Sequence, residues 1–370
     1  MHTSARSIRK GQATNPPGRT AVREQHIDER QGTWSQQVLR LAEWGFLVGG
    51  LVLLVYLWRE LGMITLVANL RLVGWGIAPI VLQECLAYLA NTLGWLAAFA
   101  RPRPSIRLPQ LLAARIAGDA VNYVTPTATL GGEFVRTRLL RGQAAGTAIA
   151  ASVAVAKLSQ MLGQIAFIGV GLALSLHGTP LPATLRLGLL GGLAVCAALA
   201  GALVLVQRRG MFAPLLRLAQ RWGWQGHAPE LTRCLRHLDA EIAQFHRHAQ
   251  GALGLSAASF FVGWALGALE IYLILWFLDV PITVDRALTI EALSIAIDGV
   301  LFFVPAKVGT QEGGKVLIFT LLGLDPAKGL ALGMLRRIRE LTWALIGLGL
   351  LSRQHLRARP AVQSPGRGRG

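Results

Sequence analysis

The chain has 370 residues, 53% of them hydrophobic and only 15% charged, with a mean hydropathy of +0.47. About a quarter of a soluble domain is charged, so this is no ordinary soluble domain. The net charge of +18 would suit nucleic acid, but its placement argues against such a partner. Seven Lys/Arg fall in 1–40, three in 101–107, seven in 207–250 and five in 353–370, with none in "HGTPLPAT" (177–184) or "DVPITVD" (279–285). That asymmetry is what the positive-inside rule produces in a membrane protein.

Residues 1–40 form a polar, basic tail that lacks the short apolar core of a cleavable signal peptide. The membrane domain is expected over 41–352. Runs such as "LVGGLVLLVYLW", "LGLLGGLAVCAALAGALVLV" and the long apolar stretch 144–176 reach or approach the roughly 20 residues needed to cross the hydrocarbon core. With both termini cytoplasmic, six full spans are expected at about 41–60, 76–99, 145–174, 185–206, 252–278 and 327–351. Segment 207–250, with Trp222 and Trp224, reads as a cytoplasmic amphipathic segment at the interface. Residues 353–370 read as a basic, disordered tail able to attract anionic lipid. Three cysteines without a Cys-x-x-Cys argue against a disulfide framework or a zinc site.

Two stretches, roughly 108–142 and 285–323, do not fit as simple spans. Each has an apolar helical pattern, a Pro/Gly break and a second short helical pattern, as in a re-entrant hairpin whose broken backbone is buried or wetted. They also resemble each other. In "DAVNYVTPTATLGGEFVR" and "DGVLFFVPAKVGTQEGGK", Asp119, Pro126 and Glu133 share the spacing of Asp298, Pro305 and Glu312, seven and seven. At the same offset of 179, Arg136 meets Lys315 and Lys157 meets Arg336. The offset extends to the flanking spans, giving repeat one at 76–174 and repeat two at 252–351. In the threading above, one copy opens to each side, which is an inverted-topology repeat of the secondary-transporter kind. The expected fold is therefore all-α: a polytopic integral membrane protein with about six spans and two re-entrant hairpins.

Charges at membrane depth cost roughly 2.5–3.5 kcal/mol each on insertion scales, so they face a cavity or a partner. Arg336 lies about nine residues into its span, roughly 14 Å along the axis, with Arg337, Arg339 and Glu340 beside it. Glu340, four residues on, is placed to pair with Arg336. Glu84 and Glu270 add negative groups. One reading is a lipid-binding cavity with Asp119, Glu133, Asp298, Glu312 and Glu340 as carboxylates and Arg136, Lys157, Lys315, Arg336 and Arg339 as cations suited to an anionic head group. The other is a closed set of internal ion pairs. Pro126, Gly131, Gly132, Pro305, Gly309 and Gly313 mark the hairpin breaks, where Pro ends a half-helix and Gly permits a tight turn or close approach.

"GTQEGGKV" (309–316) nearly matches a phosphate-binding P-loop, but Val316 stands where Ser or Thr must hold Mg²⁺ and no strand precedes it. In "RHLDAEIAQFHRH" only His237 and Glu241 share a helix face, so no metal site is expected, and no cofactor. No nucleophile elbow, Ser-x-x-Lys or His-Glu-x-x-His string occurs, and the chain is not expected to be an enzyme.

"GDAVNYVTPTATLGGEFVRTRLL" and "FFVPAKVGTQEGGKVLIFTLLGLDPAKGLALGMLRRIREL" resemble the flippase-like membrane family typified by the transmembrane region of bacterial lysylphosphatidylglycerol synthases. The second stretch is most similar to a branch associated with hopanoid lipid biosynthesis. The resemblance covers roughly 40–352 and rests on Gly132, Glu133 and Arg136, on Pro305, Gly309, Glu312 and Gly313, and on the Arg336–Arg339 cluster. It implies a bacterial inner-membrane protein that translocates or handles lipids. The aminoacyl transferase is not implied, since the chain ends soon after its last expected span. The expectation is a lipid transporter or flippase that holds a polar or anionic head group between the two hairpins. A non-catalytic scaffold docking a lipid-biosynthesis enzyme through 207–250 is the rival.

Overall fold

The computed structural model describes residues 63–100, 104–124, 130–178, 183–209, 250–301 and 309–357, with scattered positions at 52–59, 232–245, 304 and 307. The N-terminal tail, nearly all of the expected span at 41–60, Pro126, Pro305, most of 207–250 and residues 358–370 lie outside the described residues. What is described is helical. In chain order the helices are α1 (Met63–Val73), α2 (Ile77–Ala97), α3 (Leu108–Val124), α4 (Leu130–Leu139), α5 (Gly146–Gly178), α6 (Ala183–Arg209), α7 (Gln250–Phe277), α8 (Val284–Val300), α9 (Thr310–Leu321) and α10 (Pro326–Arg357).

Local sequence accounts for several boundaries. At "GLDPAKG" the Asp325 side chain accepts a hydrogen bond from the Ala327 N–H at 2.9 Å, capping α10. Pro326 takes the first helical position, where its missing N–H costs nothing. At the start of α9, Gly309 adopts φ 75°, a left-handed turn that glycine reaches without steric cost. Its N–H donates to Glu312 Oε2 at 3.0 Å, so the carboxylate occupies its own helix N-terminus. The near-P-loop string thus folds as a self-capped helix start.

Among the described residues, four stretches are long and apolar enough to cross a membrane: Val67–Ala97, Gly146–Leu176, Arg186–Leu205 and Gln250–Phe277. The chain is a multi-pass membrane protein. Helix α10 has the length, 32 residues and about 48 Å, but it carries the Arg336–Glu340 charges. Helices α3, α4, α8 and α9 are each too short to cross a 30 Å core alone.

Helix packing is built on small residues. Helices α2 and α7 lie antiparallel: Gly76 abuts the Phe277 ring, Gly263 abuts Asn91, and Gly94 abuts Phe260. Ser256 Oγ donates to the Gly94 carbonyl at 2.8 Å across the same seam. Helix α3 packs on α10 and α8 packs on α5, each crossing closed by a glycine. A Cβ on Gly347 would come within 2.6 Å of the Ile116 carbonyl, and one on Gly171 would collide with Ala292. Such close approach is how helices associate where burial from water supplies no drive. Shifted by 179 residues, α5 falls on 325–357, where α10 is found, and α3 and α4 fall within three residues of α8 and α9 at each boundary.

Two apolar clusters sit at opposite ends of the α2/α7 pair. One gathers Trp95, Phe99, Leu111, Leu140, Ile149 and Phe260. The other gathers Ile80, Ile271, Leu275, Ile290, Phe319 and Leu335. Between them stand Glu84 of α2 and Glu270 of α7. Helix α6 packs on α5, and the Arg186–Leu205 stretch is almost wholly uncovered.

Candidate functional site

Helix α10 places Arg336, Arg337, Arg339 and Glu340 within five positions. Arg336, Arg339 and Glu340 lie on one face at i, i+3 and i+4 while Arg337 is turned about 100° away, and they reach different neighbours. Arg336 reaches Glu270 of α7 at 2.9 Å and Glu291 of α8 at 2.7 Å. Arg339 pairs with Glu84 of α2 and with Glu270 at 3.0 Å. Arg337 forks onto Glu312 of α9 at 2.7 and 3.0 Å, and also donates to the Lys307 carbonyl at 3.1 Å and to Tyr123 Oη of α3 at 3.3 Å. Glu340 accepts from Gln311 Nε2 at 2.9 Å and lies 3.7 Å from Arg339. The expected Glu340–Arg336 pair is therefore replaced. Arg336 is fully engaged by α7 and α8, and Glu340 turns to Arg339 and Gln311.

A second cluster lies on the first hairpin. Arg136 is held between Asp119 at 2.5 Å and Glu133 at 2.7 Å. Arg115 approaches Asp119 at 3.4 Å, and Lys157 of α5 approaches Glu133 at 3.8 Å. Arg136 lies over the Trp95 ring and Arg115 over the Phe260 ring, 5.9 and 5.3 Å from the centroids. Gly118 and Gly132 let α3 and α4 meet backbone to backbone, and Asn122 accepts from the Gly132 N–H at 2.7 Å. The glycines here are required by the crossing.

Equivalent positions are not equivalent in pairing. Arg136 binds both carboxylates of its hairpin, whereas Lys315, its counterpart, reaches only the Gln311 carbonyl at 3.4 Å. Among the described residues no carboxylate lies within ion-pair distance of Lys315, although it is fully buried. Asp298 is taken by Lys307 at 2.9 Å and Glu312 by Arg337. The reason is reach: Lys307 and Arg337 approach from a neighbouring loop and helix, while Lys315 points back along its own helix.

Between α2, α5, α7, α8, α9 and α10 lies a cavity of about 180 Å³. Its charged lining is Glu84, Glu270, Glu291, Asp298, Lys307, Arg336, Arg339 and Glu340, with Asn91, Gln160, Trp264 and Gln311 as neutral polar groups. Gln160 also lines the smaller void beside Glu133, Arg136 and Lys157, so the two clusters share a wall. Two buried polar atoms of the lining have neither a hydrogen bond nor an ion pair: Gln311 Oε1 and Trp264 Nε1.

The family assignment follows from residues 43–349, which match the family model described as lysylphosphatidylglycerol synthase TM region. The chain belongs to that family. No curated protein and no solved structure matches it. In this family member the site residues expected from sequence gather in the two clusters. The structure adds Arg115, Glu291, Lys307, Arg337 and Gln311, and gives Glu84 and Glu270 central positions. Arg115 and Glu291 are visible in the sequence as single charges inside apolar helical patterns, a signal the hairpin comparison passes over because neither has a charged counterpart 179 residues away. Among the described residues no three His, Cys, Asp or Glu side chains converge as a metal site. Pro126 and Pro305 lie outside the described residues. Gly131 and Gly132 open α4, and Gly313 lies in the first turn of α9.

Proposed function

We propose that this protein is a lipid transporter of the flippase type, in which a polar lipid head group enters the charged cavity while its tails stay in the bilayer. The family associates the chain with lipid metabolism or transport at a membrane. The observation that carries the reading is the cavity itself: eight ionisable side chains around about 180 Å³, with two buried polar atoms left unpaired. A closed set of structural ion pairs has no use for such a space or for orphaned hydrogen-bonding groups. Intramembrane ionisable groups that face a cavity are the usual mark of a substrate pathway.

The inverted-repeat reading has independent support. The helix boundaries recur at an offset of 179, the equivalent helices α2 and α7 run antiparallel, and α3 on α10 mirrors α8 on α5. Two halves of opposite orientation meeting at the midplane suit alternating access. On this reading α3/α4 and α8/α9 are re-entrant hairpins, the protein lies in the bacterial inner membrane, and the basic segments face the cytoplasm.

The test is translocation of labelled lipid in proteoliposomes by the wild type and by Glu133→Gln, Glu312→Gln and Arg336→Ala. Loss of translocation with retained membrane insertion supports the reading. Normal translocation by all three variants overturns it.

A further inference from the structure

Among the described residues the second cluster carries one more carboxylate than cation. Its carboxylates are Glu84, Glu270, Glu291, Asp298, Glu312 and Glu340. Its cations are Lys307, Arg336, Arg337 and Arg339, together with buried Lys315. Two of the pairs are local and balanced: Lys307 with Asp298 and Arg337 with Glu312. The imbalance therefore falls on the knot where, among the described residues, Arg336 and Arg339 are the cations paired with Glu84, Glu270, Glu291 and Glu340, with Lys315 buried but unpaired with any carboxylate. Glu270 is completely buried between the two arginines.

The first cluster has the opposite imbalance, with Arg115, Arg136 and Lys157 against Asp119 and Glu133. Its surplus is solvated in place, because the Lys157 side chain is 34% exposed. In the second cluster Glu270 and Glu291 are 0% and 5% exposed, while Glu84 and Glu340 reach the cavity at 19% and 22%, and like charges held together in a low dielectric favour binding of one proton.

A separate observation points the same way. Gln311 is 3% exposed and donates through Nε2 to Glu340, yet its Oε1, also lining the cavity, accepts from nothing. A carboxylate can only accept, whereas a protonated carboxyl gains the O–H that such an oxygen needs.

We propose that this knot is a proton-binding site, one proton being shared among Glu84, Glu270, Glu291 and Glu340. The proton comes from water in the cavity and returns to it. Under the proposed function, which this inference extends, that proton is the coupling ion for lipid movement.

The test is infrared spectroscopy of the purified full-length protein titrated with alkali, which reads the C=O band of a protonated carboxyl without any lipid transport. A band present at neutral pH and lost on alkalinisation is expected. Glu84→Gln, Glu270→Gln and Glu340→Gln each bring cations and carboxylates to parity, so each is expected to lose it. Glu133→Gln, in the first cluster, is expected to keep it. Absence of the band in the wild type, or its persistence in all three knot variants, overturns the proposal. So does a band that Na⁺ displaces at constant pH, which would make the ligand a metal cation. Proteoliposomes then separate the two readings. Translocation that ignores an imposed pH gradient removes the coupling role and leaves the lipid reading intact. A normal band without lipid translocation leaves the proton site intact and removes the lipid reading.

Discussion

Gln160 and Arg339 stand 179 residues apart and line the same cavity. One is neutral and the other charged, so corresponding positions of the two halves present different chemistry to one space. Gln160 alone also borders the void of the first cluster. Its replacement by Leu removes the polar group common to both. A hydrogen bond to a charged group is worth about 1.5–3 kcal/mol, so Gln160→Leu is expected to slow lipid translocation by roughly tenfold or more. A rate within twofold of wild type in proteoliposomes would show that the shared wall is not part of the path.

Arg336 bridges Glu270 and Glu291. Removing one member of a buried pair strands the other charge and costs about 3–5 kcal/mol. Arg336→Ala is therefore expected to lower thermal stability in detergent sharply. The double variant Arg336→Leu/Glu270→Leu strands fewer charges and is expected to recover part of the loss. A double variant less stable than the single one would contradict this account.

The glycine crossings give a paired comparison on one helix. Gly347 has the Ile116 carbonyl 2.6 Å from where a Cβ would stand, while Gly349 faces open space. Gly347→Val is expected to destabilise by about 1–3 kcal/mol through overpacking. Gly349→Ala is expected to be neutral or to stabilise by up to about 1 kcal/mol through helix propensity. Thermal unfolding of both variants, purified in parallel, checks the contrast.

Arg337 joins α9, the 307 loop and α3 through its planar fork. Lysine cannot reproduce that geometry. Arg337→Lys is expected to cost more stability than Tyr123→Phe, which removes a single hydrogen bond worth about 1 kcal/mol. Equal effects would mean that the fork is not used.

Membrane class and the positions of the described helices were legible because apolar run length follows directly from the bilayer. The start of α10 also carries a local signal, Asp325-Pro326. Partner choice at depth was not legible. The i, i+4 spacing of Arg336 and Glu340 suggested a pair, but Glu270 and Glu291, remote in sequence, reach the guanidinium first. Lys315 matches Arg136 by register, yet Lys307 and Arg337 claim Asp298 and Glu312, the counterparts of the carboxylates that hold Arg136. Such outcomes depend on which helices lie alongside, and spacing along one helix does not carry that information.

Among the described residues helix α6 leans mainly on α5 and is little covered along Arg186–Leu205. A helix with one touching flank is constrained by hydrocarbon solubility, not by the identity of each side chain. Shuffling its leucines, valines and alanines, while Gly192 stays against Leu172, should go unnoticed by the rest of the molecule. That makes α6 the natural place to attach a reporter group.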